Sequence, residues 1–130
     1  MGAFDALNIA GSGLNLHQTW LDAISYNIAN INTVVPTSQT AFQAQMVVAQ
    51  AVPNGGGVAV GGIALSDPNW MIVNDPDSPL ADAQGNVRAP AVDMSSQMSE
   101  LIMAQRGFQA SSKIISTADT MLEGLVNLIR

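Results

Sequence analysis

Apolar residues recur every seven positions at both ends of this chain and lose that rhythm in between. Near the start, Leu7, Leu14, Leu21 and Ile28 form one line, with Ala10, His17, Ile24 and Ile31 three places after each. Near the end, Met94, Leu101, Phe108, Ile115, Leu122 and Ile129 repeat the pattern, with Gln97, Ala104, Ser111, Ala118 and Leu125 in the offset slot. An average spacing of 3.5 residues keeps one seam of a helix facing a partner helix, which specifies a coiled coil. The pattern predicts a mainly α protein, with long N- and C-terminal helices packing as a coiled coil and a small β or extended middle segment. The predicted division is 1–33 for the first helix, 34–92 for the middle and 93–130 for the last helix.

Each helix offers more than its seam. Ile9, Leu16 and Ala23 form a second stripe on the first helix. On the last, Gly107, Ile114, Met121 and Leu128 run one place before the main seam, and Met98 and Val126 lie one place after the offset slot. That is wider than a two-stranded coiled coil needs. Small residues at Ala104, Ser111 and Ala118 allow another backbone close approach. Two apolar faces on one helix imply two or more helical neighbours, one from the same chain and others from adjacent subunits.

Local signals divide the rest. The β-branched pair Val34–Val35 weakens the first helix, and Pro36 is expected to end it by restricting the residue before it. Thr37 to Pro53 reads as a strand or extended arm, carrying Phe42, Met46, Val47, Val48 and Val52. Asn54-Gly55-Gly56-Gly57 is a turn, because these residues accept positive φ at little cost. Val58, Val60, Ile63 and Leu65 nearly alternate, with Gly61–Gly62 as a bulge, and Trp70 to Val73 can add a short third strand. Pro76, Pro79 and Pro90 argue against regular structure between Asn74 and Pro90 and predict a stiff, extended loop. Asp93 is a good N-cap for the last helix.

Composition points to assembly. The chain has 130 residues, enough for one domain, and only 11% are charged, against about 25% in an ordinary soluble domain. A monomer so poor in charge exposes apolar surface, and part of that surface is expected to be an interface. The first basic residue is Arg88, so Asp5, Asp22, Asp67, Asp75, Asp77 and Asp82 precede it unopposed. A net charge of −6 without a basic cluster argues against nucleic acid and anionic lipid, which both need cationic contacts. There is no cysteine, hence no disulfide framework or thiolate site. No secretory signal is read at the N-terminus and no apolar run reaches the length of a membrane span.

Candidate chemistry is weak. Asp75, Asp77 and Asp82 lie in a stretch faintly like a calcium loop, but Leu80 stands where glycine is needed and Asn86 where a bidentate glutamate is needed. His17 sits in the first helix's own seam without a catalytic partner within a turn, and is read as a packed or interfacial histidine. The triple glycine lacks the lysine and hydroxyl residue of a phosphate loop. Trp20 and Trp70 are read as packing anchors. No catalytic residue, cofactor or metal is expected, so the chain is not read as an enzyme.

The run Ile24-Ser25-Tyr26-Asn27-Ile28-Ala29-Asn30-Ile31-Asn32-Thr33, preceded by Ile9-Ala10-Gly11-Ser12-Gly13-Leu14, closely resembles the N-terminal signature of bacterial flagellar axial proteins: rod, hook and hook-associated subunits. Met98 to Ala110 (MSELIMAQRGFQA) resembles their C-terminal signature. Asp75-Pro76, Pro79, Ala81-Asp82, Gly85-Asn86-Val87 and Pro90-Ala91-Val92 are similar to the loop before the last helix in C-type proximal rod proteins. The chain departs from the pattern in the scarcity of basic residues in its first half and in Val34-Val35-Pro36.

The resemblance implies a structural subunit of the proximal rod, exported without a cleavable signal peptide through the flagellar type III apparatus. Such subunits polymerise in the periplasm into a hollow drive shaft that carries torque from the membrane ring to the hook. Implied partners are copies of itself, other rod proteins, the membrane-ring base, the distal rod and the export apparatus. The expected subunit-packing residues are Leu7, Leu14, Leu21, Ile24, Ile28, Asn30 and Thr33 at one end, and Leu101, Ala104, Phe108, Ser111, Ile115, Ala118, Leu122, Leu125 and Ile129 at the other. Alternatives are another axial subunit, of distal rod or hook type, or a cytoplasmic helical-hairpin adaptor or secretion chaperone.

Overall fold

The computed structural model describes residues 2–130. Two long helices carry the fold: α1, Ala3–Ala29, and α2, Met94–Ile129. Between them run β1 (Gln45–Ala51), β2 (Val58–Leu65), β3 (Trp70–Asn74) and β4 (Asn86–Pro90). The expected mainly α architecture with an extended middle is the one observed.

The helix ends show how local chemistry sets the boundaries. Asp93 caps α2 as expected, its Oδ2 accepting the Ser96 N–H at 2.9 Å. The first helix stops at Ala29, well short of Pro36. The Asn30 side chain donates to the Tyr26 carbonyl at 3.0 Å, and the Thr33 N–H closes a turn on the Asn30 carbonyl. Side-chain bonds of this kind compete with the helical ladder. Val35 then exchanges both backbone hydrogen bonds with Arg88, at 2.9 and 2.8 Å. The β-branched pair therefore belongs to an extended segment, and Pro36 is not the helix stop.

The middle forms two separate two-stranded antiparallel sheets, β1–β2 and β3–β4. In the first, Val48 pairs Gly62 while Ala49 pairs Val60, which leaves Gly61 as the bulged residue, as the sequence predicts. The connection passes through a turn where Asn54, Gly55 and Gly57 have φ of 60, 73 and 91°, values that favour asparagine and glycine. The second sheet corrects the expectation of an irregular loop from Asn74 to Pro90. Pro76 and Pro79 fall in the turn, and Pro90 lies at the last strand position, opposite Trp70. Proline at a strand terminus leaves Asn86 to Ala89 free to form a ladder. The Arg88 guanidinium lies 4.2 Å from the centre of the Trp70 ring, and its Nη1 donates to the Gln39 carbonyl at 2.8 Å. The stacking joins β4 to β3, and the hydrogen bond ties the segment after α1 to this sheet.

The first hairpin lies along α1 and is fastened at both ends. At its turn, the Val58 N–H donates to Ser12 Oγ at 3.1 Å. At its open end, Asn27 exchanges two hydrogen bonds with the Gln45 backbone, at 2.9 and 2.7 Å. The interval from Ser12 to Asn27 is about 22 Å of helix, close to the length of the seven-residue β1 at about 3.4 Å per residue. The core is thin. Its hydrophobic members are mostly alanines, with Ile24 and Val87 the bulky ones fully buried.

Candidate assembly surface

Four close approaches fix how the helices lie together. The His17 ring rests on Gly107, where any Cβ would overlap it; a Cβ on Gly13 would meet Ser111 Oγ at 2.8 Å. Trp20 Nε1 donates to Glu100 at 3.3 Å, and Asn27 Nδ2 donates to Gln97 Oε1 at 2.9 Å. As the numbering rises along α1 it falls along α2 at nearly the same pace. The helices are antiparallel and keep one register throughout.

This register decides what the seam residues do. Leu7, Leu14, Leu21, Ile24 and Ile28 are buried or half-buried, as are Leu101, Ala104, Phe108, Ser111, Ile115, Ala118 and Leu122. They line the intrachain helix pair. Asn30 and Thr33 spend their polar groups on the turn after α1, Thr33 Oγ1 donating to Asn30 Oδ1 at 3.2 Å. Leu125 and Ile129 stand apart, at 55% and 85% exposed. The reason is length. α2 has 36 residues and α1 has 27, or about 54 and 40 Å, so α1 runs out near Met121. From Glu123 to the last residue every side chain is exposed.

A second line on α2 is also left open. Met103, Gly107, Ala110, Ile114, Thr117, Met121, Gly124 and Leu128 follow alternating steps of four and three without a charge, and all but half-buried Gly107 are exposed. The sequence reading found Gly107, Ile114, Met121 and Leu128 of this line. Beside it lies a groove of about 560 Å³ between α1, the hairpin turn and α2, bounded by Ile9, Gly57, Val58 and Ile114 among others. A contiguous apolar patch of this kind on a small chain marks a site of association.

His17 and Asp82 are used structurally. His17 Nδ1 lies 2.6 Å from the Gly13 carbonyl, so that nitrogen carries the proton and the ring packs between the helices. Asp82 organises the turn before β4: its Oδ1 accepts the Asn86 and Gln84 N–H groups, each at 2.9 Å, and its Oδ2 accepts from Thr37 at 3.1 Å. The Asn86 bond above all, with those from Gln84 and Thr37, outweighs the opposing desolvation and lowers its pKa. Among the described residues, no group of three or more histidine, cysteine, aspartate or glutamate side chains is placed to hold a metal ion. Sequence reasoning missed the role of Asn27, which is 1% exposed and links α1, β1 and α2. The available signal was Gln97, a polar residue in an apolar seam, where such residues set register.

Residues 7–36 match the family described as flagella basal body rod protein, and residues 83–128 match the flagellar basal body rod FlgEFG protein C-terminal family. The flagellar basal-body rod protein FlgC of Escherichia coli O6:H1 is 32% identical over 126 residues, covering 94% of each chain. The chain belongs to the flagellar basal-body rod protein family. FlgC of Salmonella typhimurium is 32% identical over 126 residues, with 94% of each chain covered. FlgC of Bacillus subtilis is 28% identical over 142 residues, covering 94% of this chain and 95% of its own. The two rod-family segments take in most of α1, and β4 with nearly all of α2. The β1–β2 hairpin falls between them.

Proposed function

We propose that the chain is a structural subunit of the flagellar proximal rod that polymerises through its terminal helices. The observation that carries this is the state of α2: its seam is closed by α1, while its charge-free second line and its last two turns remain uncovered. A helix with unspent apolar faces is suited to hold several neighbours at once. In this reading, residues 1–33 and 93–130 form the axial core of a hollow periplasmic shaft, and 34–92 contact neighbours further out. The subunit reaches the periplasm through the type III export apparatus without a cleavable signal. Its partners are copies of itself and other rod proteins, between the membrane-ring base and the distal rod. Its task is to pass torque through many small contacts, so no catalytic residue is required.

The test is whether the protein, intact at its N-terminus, co-purifies with detergent-extracted hook–basal bodies. Its presence there supports both export without cleavage and the structural role. Its accumulation in the cytoplasm as a finite oligomer would overturn the proposal in favour of an adaptor.

A further inference from the structure

The second sheet has one spent edge and one open edge. Val35 exchanges both backbone hydrogen bonds with Arg88, so the Arg88 groups face away from β3. Opposed residues of an antiparallel pair alternate between exchanging both bonds and exchanging none. Ile72, opposite Arg88, therefore turns its N–H and C=O outward, as do Trp70 and Asn74 two places to either side. On β4 the outward positions are used. Val35 takes Arg88; Asp82 accepts the Asn86 N–H on Oδ1 and donates its own N–H to the Asn86 C=O; Pro90 has no N–H to offer. On β3, among the described residues, nothing bonds the outward groups of Trp70, Ile72 and Asn74. Folded proteins blunt such an edge with lysine, proline, a bulge or a covering segment. β3 has an unbroken register and no lysine or proline, and all five of its residues are exposed. We infer that the open edge of β3 receives an extended strand from a different protein, apolar at its centre and bearing lysine or arginine at its flanks. The inference rests on the reading that residues 34–92 meet neighbours outside the axial core, and it names the edge and the class of partner.

Charge and shape select this occupant. Exposed Asp67 precedes β3, and exposed Asp75 and Asp77 follow it. No lysine or arginine occurs before Arg88, and Arg88 is held by Trp70 and the Gln39 carbonyl. A complementary strand carries cations at both ends and none in the middle. This chain has no such strand to lend. Its other basic residues are Arg106 and Lys113, inside α2, and Arg130 at its end, so the middle segment of a second copy would bring aspartates to an acidic rim. As to shape, Met71 and Val73 share one face of the sheet and border a groove of about 500 Å³ with Ile31, Val34, Val92 and Met94. Alternate side chains of an added strand fall on that face. Main-chain bonds then give affinity, and the groove gives specificity for apolar side chains.

Ile72→Pro removes the outward N–H and leaves the ladder to β4 intact, because an edge strand tolerates proline where the N–H faces out. Ile72→Val keeps that group. The isolated Ile72→Pro chain should melt as the parent does while its cells lose motility, and Ile72→Val cells should swim normally. A folded Ile72→Pro chain in motile cells overturns the docking. Independently of how the proline variant folds, Ile72 is replaced in the full-length chain by photoreactive p-benzoylphenylalanine, and isolated hook–basal bodies are irradiated. The expected cross-linked peptide belongs to a different protein and is an apolar stretch with lysine or arginine on both sides. No cross-link, linking to a second copy of the chain, or linking to a segment without basic flanks overturns the inference while leaving the subunit reading intact. Absence of the unmodified chain from the basal bodies overturns both.

Discussion

Asn27 offers the sharpest test of how the chain holds together. Its side chain donates to the Gln45 carbonyl and to Gln97 Oε1, each at 2.9 Å, and accepts the Gln45 N–H at 2.7 Å. Replacing it with alanine deprives both Gln45 backbone groups of their side-chain partner and removes a bond from buried Gln97. Each unsatisfied buried group costs about 1–3 kcal/mol. Gln45 is only half-buried, so water recovers part of the loss, and about 3 kcal/mol in total is expected. Gln97→Leu is the control. It leaves Asn27 with both Gln45 bonds and one amide N–H unpaired, a loss that the apolar side chain placed in the seam partly offsets, so its cost is about 1–2 kcal/mol, below that of Asn27→Ala. Urea unfolding followed by circular dichroism measures both variants. Equal destabilisation by the two, or a negligible effect of Asn27→Ala, would refute the reasoning, because then the tie to β1 contributes nothing beyond the helix–helix contact.

Other consequences can be checked as directly. Gly107→Ala drives a methyl group into the His17 ring; a thermal melt should show a loss of about 1–3 kcal/mol, with recovery in the Gly107→Ala, His17→Ala double variant. Leu101→Asp and Phe108→Asp place a charge in the intrachain seam and should unfold the isolated chain. Leu128→Asp, on an exposed position, should leave the isolated chain's melt unchanged yet abolish motility; motile cells would count against α2's free end as a contact. The lowered pKa of Asp82 means that its contribution to the folded turn is present above the ordinary value of 3.8 and is lost as pH falls through the lower folded value. The Gln84 and Asn86 amide signals in an NMR titration should therefore hold down to that range and shift only below it. A midpoint at or above the ordinary value would contradict the geometry.

The helical ends were legible because a seven-residue period survives any uncertainty about tertiary partners: Leu101, Phe108 and Ile115 had to share a face. Asp93 and the Gly61 bulge were legible for local reasons, since capping and bulging depend on neighbouring residues. The pairing of β3 with β4 was not. It joins residues on either side of a proline-bearing turn, and Pro90 could be reconciled with a strand only once its terminal position was known. The end of α1 was misplaced because Asn30 and Thr33 act before Pro36 can. Periodicity predicted that the two terminal helices pack on each other, and the register of His17 on Gly107 places most of the expected subunit-packing residues along that intrachain pair. What remains for neighbours is the line through Ile114 and Met121 and the projecting end of α2. Whether those residues meet a neighbour depends on other chains, which periodicity cannot name.

The two-point fastening of the first hairpin has a mechanical consequence. Apolar faces slide over one another at little cost, but a hydrogen bond fails when its donor and acceptor are displaced. With Ser12 gripping the turn end and Asn27 the open end, the hairpin is a splint along α1. A sideways load on the middle of the chain reaches the helix at two defined points, and bending α1 between them means shearing one of the two. Stiffness along the shaft is then a property of each subunit before any neighbour is added.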